Sequence, residues 1–129
     1  MLIKNISLIL GAVFILVGIL GFVPNPLVGS GSLFETDLGH NLVHLLAGAA
    51  LVVAGLQTEQ LSRLAVQAFG AVYLVVGVIG FAVVDSATGQ GSLLGLVHLN
   101  NADNWLHIAL GIVLLALGFC LKPATMKTA

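Results

Sequence analysis

Apolar residues fill four long runs of this 129-residue chain, roughly Ile6 to Val23, Asn41 to Leu56, Leu64 to Val84 and Asn104 to Leu121. Each is close to the ~17 to 25 residues that carry an α-helix across a bilayer. The second run is the marginal one. Its purely apolar part, Leu45 to Leu56, covers only about 18 Å at ~1.5 Å per residue, against a hydrocarbon core of ~30 Å. It spans if Asn41 and His44 sit inside or beside the interface, or if the helix continues through Gln57. The runs are apolar all round and lack the alternation a membrane β-barrel strand needs. The pattern therefore predicts four transmembrane helices.

Composition agrees, with 59% hydrophobic residues, 7% charged residues and a mean hydropathy of +1.15, values of a membrane protein. The first run follows a single lysine, as a secretory signal would, but VPNPLVGSGS after it carries no small-residue cleavage pattern. It is expected to stay as the first helix. The four basic residues set the orientation: Lys4 precedes helix 1, Arg63 lies between helices 2 and 3, and Lys122 and Lys127 follow helix 4. The other two loops carry Glu35, Asp37, Asp85 and Asp103 and no Lys or Arg. The positive-inside rule thus predicts a multi-pass inner-membrane protein with cytoplasmic termini and two long outer loops. Cys120, the single cysteine, falls at the cytoplasmic end and can form no intrachain disulfide.

The chain also repeats itself. VGILGF at 17–22 returns as VGVIGF at 76–81, GSGSLF at 29–34 as GQGSLL at 89–94, and HNLVHLLAG at 40–48 as DNWLHIALG at 103–111, in the same order. Each copy holds two spans and returns to its starting side, so the halves are parallel hairpins related by an axis along the membrane normal. Within one membrane domain, 1–129, the repeats cover about 6–56 and 65–121. Glycines add a second regularity, one pair per helix seven residues apart: Gly11 and Gly18, Gly48 and Gly55, Gly70 and Gly77, Gly111 and Gly118. Such spacing returns nearly to one helix face, and small residues there let membrane helices approach closely. The fold class expected is all-α, a four-transmembrane-helix bundle built from two tandem helical-hairpin repeats.

The duplicated Asn-x-x-His is the main polar interruption. At ~100° per residue His44 falls within about 40° of Gly48 and Gly55, and His107 bears the same relation to Gly111 and Gly118, so each faces a glycine seam rather than lipid. An ionisable residue in that setting is a functional candidate. One account is capping, with Asn41 or Asn104 as the N-cap and the histidine reaching back to the cap or to a loop carbonyl. Asp103, standing where the first copy has His40, would favour the start of helix 4. The other account is a shared site, in which the repeat brings His44 and His107 together with Asn41, Asn104 and Asp103 around them. Such a site could hold a metal ion or a haem, or serve a proton relay or a quinone-type ligand.

Trp105 reads as an interfacial anchor and His98 as a solvated loop residue. GSGSL and GQGSL lack the Gly-Lys-Ser/Thr and preceding strand of a phosphate loop, so turns are expected, leading into short outer helices through LF and LLGLV. No nucleophile triad is present, since Cys120 and the histidines are expected at opposite faces. A basic footprint for nucleic acid is also lacking.

With VGILGFVP in the first helix, HNLVHLLAG in the second, YLVVGVIGF in the third and LLGLVHLNNADNWLHIALG leading into the fourth, the chain resembles a bacterial family of small four-helix membrane proteins, domain of unknown function family 4383. The likeness runs from about Gly11 to Gly118 and is most specific in the second half. It implies four membrane helices and no established activity. Two functional readings follow from the residues. The first is a structural or accessory subunit, as a homo-oligomer or within a larger membrane complex, because catalytic constellations and aqueous domains are lacking. The second is a binding or transport module using the His44 and His107 region for a cofactor, metal or small ligand.

Overall fold

A computed structural model describes residues 1–121. Four helices long and apolar enough to cross a membrane run in order: α1 (Leu2–Leu20), α2 (Leu38–Leu56), α3 (Glu59–Val83) and α4 (Asn101–Cys120). A two-stranded hairpin, β1 (Gln90–Leu93) and β2 (Val97–Asn100), precedes α4. The marginal second span is resolved at its start. Asp37 caps α2 by accepting the His40 backbone N–H at 2.8 Å, which begins the helix before Asn41. Its 19 residues then reach about 28 Å at ~1.5 Å each, nearly the full hydrocarbon thickness.

Helix α4 begins the same way. Asn100, not Asn104, is its N-cap, and with Asp103 it forms a reciprocal capping box. Capping by Asn41 and Asn104 is therefore corrected. Both lie one turn inside their helices, buried at 4% and 0% exposure, with their side chains laid over Gly21 and Gly80 respectively. A Cβ at either glycine would run into the asparagine amide, which would have to move aside.

Within each hairpin the glycine pairs do what their spacing predicts. A Cβ on Gly11 would lie 2.7 Å from the Gly48 carbonyl oxygen, and one on Gly48 2.7 Å from that of Gly11. In the second hairpin a Cβ on Gly77 would lie 2.8 Å from the Asn104 carbonyl oxygen, as one on Gly18 would lie 3.0 Å from that of Asn41. Backbone thus rests on backbone along both α1/α2 and α3/α4, while the two hairpins meet each other less closely. Between them lies a core of Ile3, Phe14, Ala47, Leu51, Val66, Tyr73 and Leu114. Ser7 Oγ donates to the Leu51 carbonyl at 2.7 Å and Ser62 Oγ to that of Ala54 at 2.9 Å, so these buried hydroxyls have partners where no water reaches.

The long loops share one end of the bundle. Asn100 Nδ2 donates to the Leu33 carbonyl at 3.0 Å, and the Leu96 carbonyl presses on Gly39. Short outer helices through LF and LLGLV are not formed. Leu94 and Gly95 take φ of 56° and 69°, the pair of positive angles a tight hairpin turn requires, and the Leu96 N–H closes the turn on the Leu93 carbonyl at 3.0 Å. In the first loop a single bridge joins Val28 and Phe34, and Asn25 ties the chain by donating to the Leu20 and Val28 carbonyls and accepting from the Leu27 and Val28 N–H groups.

At the opposite end Lys4 Nζ donates to the Gln57 carbonyl at 2.6 Å, Arg63 to that of Gly118 at 2.7 Å, and the N-terminal amine pairs with Glu59. Cys120 is exposed near that end. Lys122 and Lys127 lie outside the described residues.

Candidate functional site

The repeat places equivalent residues face to face. Phe14 and Tyr73 stand at matching points of α1 and α3 and their ring centres are 5.1 Å apart; His44 and His107 match on α2 and α4 and are 6.5 Å apart. Phe14 lies edge-on to His44 at 5.8 Å as Tyr73 does to His107 at 5.0 Å. The contact of His44 with His107 runs through the axis relating the two hairpins. Both sit about six residues into their helices, roughly 9 Å from the helix start.

A third histidine completes the group. His40 lies one turn before His44 with ring centres 4.8 Å apart, and 5.8 Å from His107. One ring nitrogen from each of the three lies within 4.8 Å of the others. All are buried, at 2%, 8% and 4% exposure for His40, His44 and His107.

Hydrogen bonds fix how these rings face one another. His40 Nδ1 lies 2.6 Å from the His98 carbonyl oxygen, and His44 Nδ1 3.1 Å from that of His40. A carbonyl oxygen only accepts, so in the neutral ring each Nδ1 carries the proton and each Nε2 keeps its lone pair. His107 Nδ1 is buried and has no hydrogen-bond partner among the described residues. Two rings are thus held as acceptors and the third is uncommitted.

Position 40 of the first repeat corresponds to position 103 of the second. His40 donates across the bundle to the carbonyl of residue 98, whereas Asp103 Oδ2 accepts the N–H of residue 35 at 3.1 Å, besides that of Asn100 at 2.8 Å. Residues 35 and 98 themselves correspond. The same crossing is therefore made twice with donor and acceptor exchanged, and it ties each loop to the other hairpin. It also accounts for Asp103: buried to 2% exposure, its carboxylate holds two backbone N–H groups and stays outside the nitrogen cluster. Asp37, which starts α2 outside the span, is pushed up by partial burial, but the N–H groups of His40 and His98 and their imidazoles outweigh this and hold its carboxyl below the usual value.

Two cavities flank the histidines. One, of about 170 Å³ on the α2/α3 side, is bounded by Val43, Val72, Tyr73, Val76, Leu93 and Val97 together with all three histidines. The other, of about 200 Å³ on the α1/α4 side, shares the histidines and adds Thr36 and Asp103 to apolar residues of α1 and the first loop.

Of the residues singled out from sequence, His44 and His107 come together, Asp103 lies beside them, and Asn41 and Asn104 turn away to their glycines. His40 enters the cluster rather than serving only as the counterpart of Asp103, and its i, i+4 spacing to His44 was the available signal. Tyr73 carried none until the repeat aligned it with Phe14. His98 is half-buried rather than solvated, held by its own backbone carbonyl on His40. Trp105 is 65% exposed and meets Phe81 edge-on at 5.0 Å.

No curated protein and no solved structure matches the chain. A family model does, over residues 4–120, which takes in α1 from Lys4 onward, the other three helices and every residue of the cluster. The chain therefore belongs to the family described as domain of unknown function DUF4383.

Proposed function

We propose that this membrane protein is a binding module holding one transition-metal ion between its two hairpins, with His40, His44 and His107 as ligands. The observation that carries this is the convergence of three buried ring nitrogens within 4.8 Å, from rings of which two are already set as acceptors by Nδ1–H donation to backbone carbonyls. That second hydrogen bond is how metal-binding histidines are ordinarily oriented. A triangle of nitrogens with such sides has its centre at most about 2.8 Å from each, so ring movements of under an ångström reach the ~2.0 to 2.1 Å of a Zn–N bond. Imidazole suits Zn²⁺ and Cu²⁺, and three protein ligands leave a fourth position open. The nearby Asp103 carboxylate would offset part of the ion's charge, which a neutral ligand set leaves uncompensated. The cavities beside the histidines, of about 170 and 200 Å³, each hold little more than a benzene-sized ring, so a bare ion suits the site better than a haem macrocycle.

Titrating Zn²⁺ into the metal-free protein in nanodiscs, followed by calorimetry, tests this. One ion per chain is expected, and His40→Ala, His44→Ala and His107→Ala should each weaken binding at least tenfold while the helical circular dichroism is kept. Equal binding by the wild type and the triple variant would end the proposal.

On this reading the site lies toward the outer face of a cell inner membrane, with both termini cytoplasmic. Support comes from Lys4 and Arg63 at the end away from the histidines, while the two long loops at the histidine end carry no Lys or Arg. In a Cys120→Ser background, Thr88→Cys should react with a membrane-impermeant maleimide in intact cells. Labelling only after permeabilisation would reverse the orientation. An accessory role in a larger complex has the exposed apolar helix faces for support, but lipid covers such faces equally well.

A further inference from the structure

The two cavities beside the histidines differ in kind. On the α1/α4 side the wall includes the Asp103 carboxylate and the Thr36 hydroxyl, whose oxygen is buried without a hydrogen-bond partner among the described residues. On the α2/α3 side, apart from the histidines and Tyr73, the wall is entirely aliphatic. Val43 and Val72 at its edge are 47% and 54% exposed, and both sit on lipid-facing stretches of spanning helices. Leu93 and Val97 of the β-hairpin roof it on the loop side. The opening thus leads sideways into the bilayer, between the two hairpins, which pack on each other less closely than the helices within each do.

Size and polarity then limit the occupant. A cavity of about 170 Å³ is close to the ~150 Å³ that accepts a benzene-sized ring. Its wall is nearly all apolar and offers few acceptors: His40 and His44 line it, and each keeps an unprotonated Nε2 once its Nδ1–H is given to a carbonyl. A ligand that pairs with those nitrogens must bring a donor, and one that arrives through lipid into an apolar cavity must otherwise be apolar. Tyr73, buried against both His44 and His107 at 6.3 and 5.0 Å, supplies an aromatic edge for a flat ring.

We infer that the α2/α3 cavity takes a single-ring phenol or quinol from the bilayer, its hydroxyl directed onto the histidine nitrogens. This names a ligand class for the site of the metal proposal and rests on the same acceptor nitrogens; with an ion in place the hydroxyl oxygen would occupy the open fourth position.

The probes are p-cresol and its near-isostere p-xylene, which lacks the hydroxyl. Binding to metal-free protein in nanodiscs would be followed by saturation-transfer NMR, against the signal from empty nanodiscs. Saturable p-cresol binding is expected, at least fivefold tighter than that of p-xylene, and at least fivefold weaker in Val76→Phe, which fills the cavity. Retention of the Zn²⁺ isotherm by Val76→Phe would show that the histidines still converge. Should that variant fail to fold, Val72→Trp at the lipid-facing mouth should produce the same loss. Absence of p-cresol binding, equal binding of p-xylene, or p-cresol binding unchanged in the folded cavity variants would each overturn the inference, whatever the Zn²⁺ result. Loss of Zn²⁺ binding with p-cresol binding retained would instead refute the metal reading alone.

Discussion

His40 and Asp103 occupy the same position of the repeat, and their difference decides what the site is. A second Asp at position 40 would leave two histidines and no cluster of three; His40 adds a ring and keeps the crossing bond to the opposite loop. The sequence shows this exchange, as HNLVH against DNWLH. What it does not show is that one side chain joins the nitrogens while the other is consumed by two backbone N–H groups, because that depends on loop carbonyls and amides 58 and 68 residues away. The caps lie one turn before the positions that residue type suggests, for a related reason. Asn41 and Asn104 are good caps by type, but the better-placed Asp37 and Asn100 start the helices earlier, and the asparagines are left to cover glycines.

Asp37 also gives a pH prediction. Its folded carboxyl sits below the model-peptide value of 3.8, so its contribution is present in full above that value and is lost as pH falls through the folded one. Asp37→Ala should cost about 1 kcal/mol at neutral pH, the usual worth of an N-cap. Asp37→Asn should keep most of the cap but remove the acid-side loss, as thermal unfolding in detergent at pH 7 and pH 3 would show.

At the level of elements, the helices were the most legible part, since apolar runs and paired glycines are local signals that membrane burial does not override. Gly48 makes the point quantitatively. Its Cβ would meet the Gly11 carbonyl oxygen at 2.7 Å and the Ile15 N at 2.8 Å, both backbone atoms that move only if α1 and α2 separate. Gly48→Ala should therefore destabilise the protein by about 1 to 3 kcal/mol, the range for overpacked sites. A midpoint unchanged in chemical unfolding from mixed micelles would contradict so close a seam. The outer loop was the least legible element. LLGLV is apolar enough for a short helix, and only Gly95 hints at a turn. The hairpin exists because Leu94 and Gly95 both adopt positive φ and because its strands have α2 and α3 to rest on, support that no local pattern records.

Over the whole molecule, duplication does more than build a bundle. Two hairpins that each fit tightly within themselves meet along an axis, and residues near that axis meet their own counterparts: Phe14 with Tyr73, His44 with His107. A histidine that would be a lone polar residue in one hairpin becomes half of a site in the pair. Sequence supplied the repeat, the facing of each histidine toward a glycine seam and the common side of the loops. The separation between the halves required the packing of the core. The central claim is that both hairpins contribute ligands to one centre, and electron paramagnetic resonance of the protein loaded with one equivalent of Cu²⁺ in nanodiscs addresses it directly. Nitrogen couplings from three imidazoles are predicted, reduced to two in His107→Ala. A spectrum with coupling to one imidazole or none, or one unchanged by His107→Ala, would contradict the account.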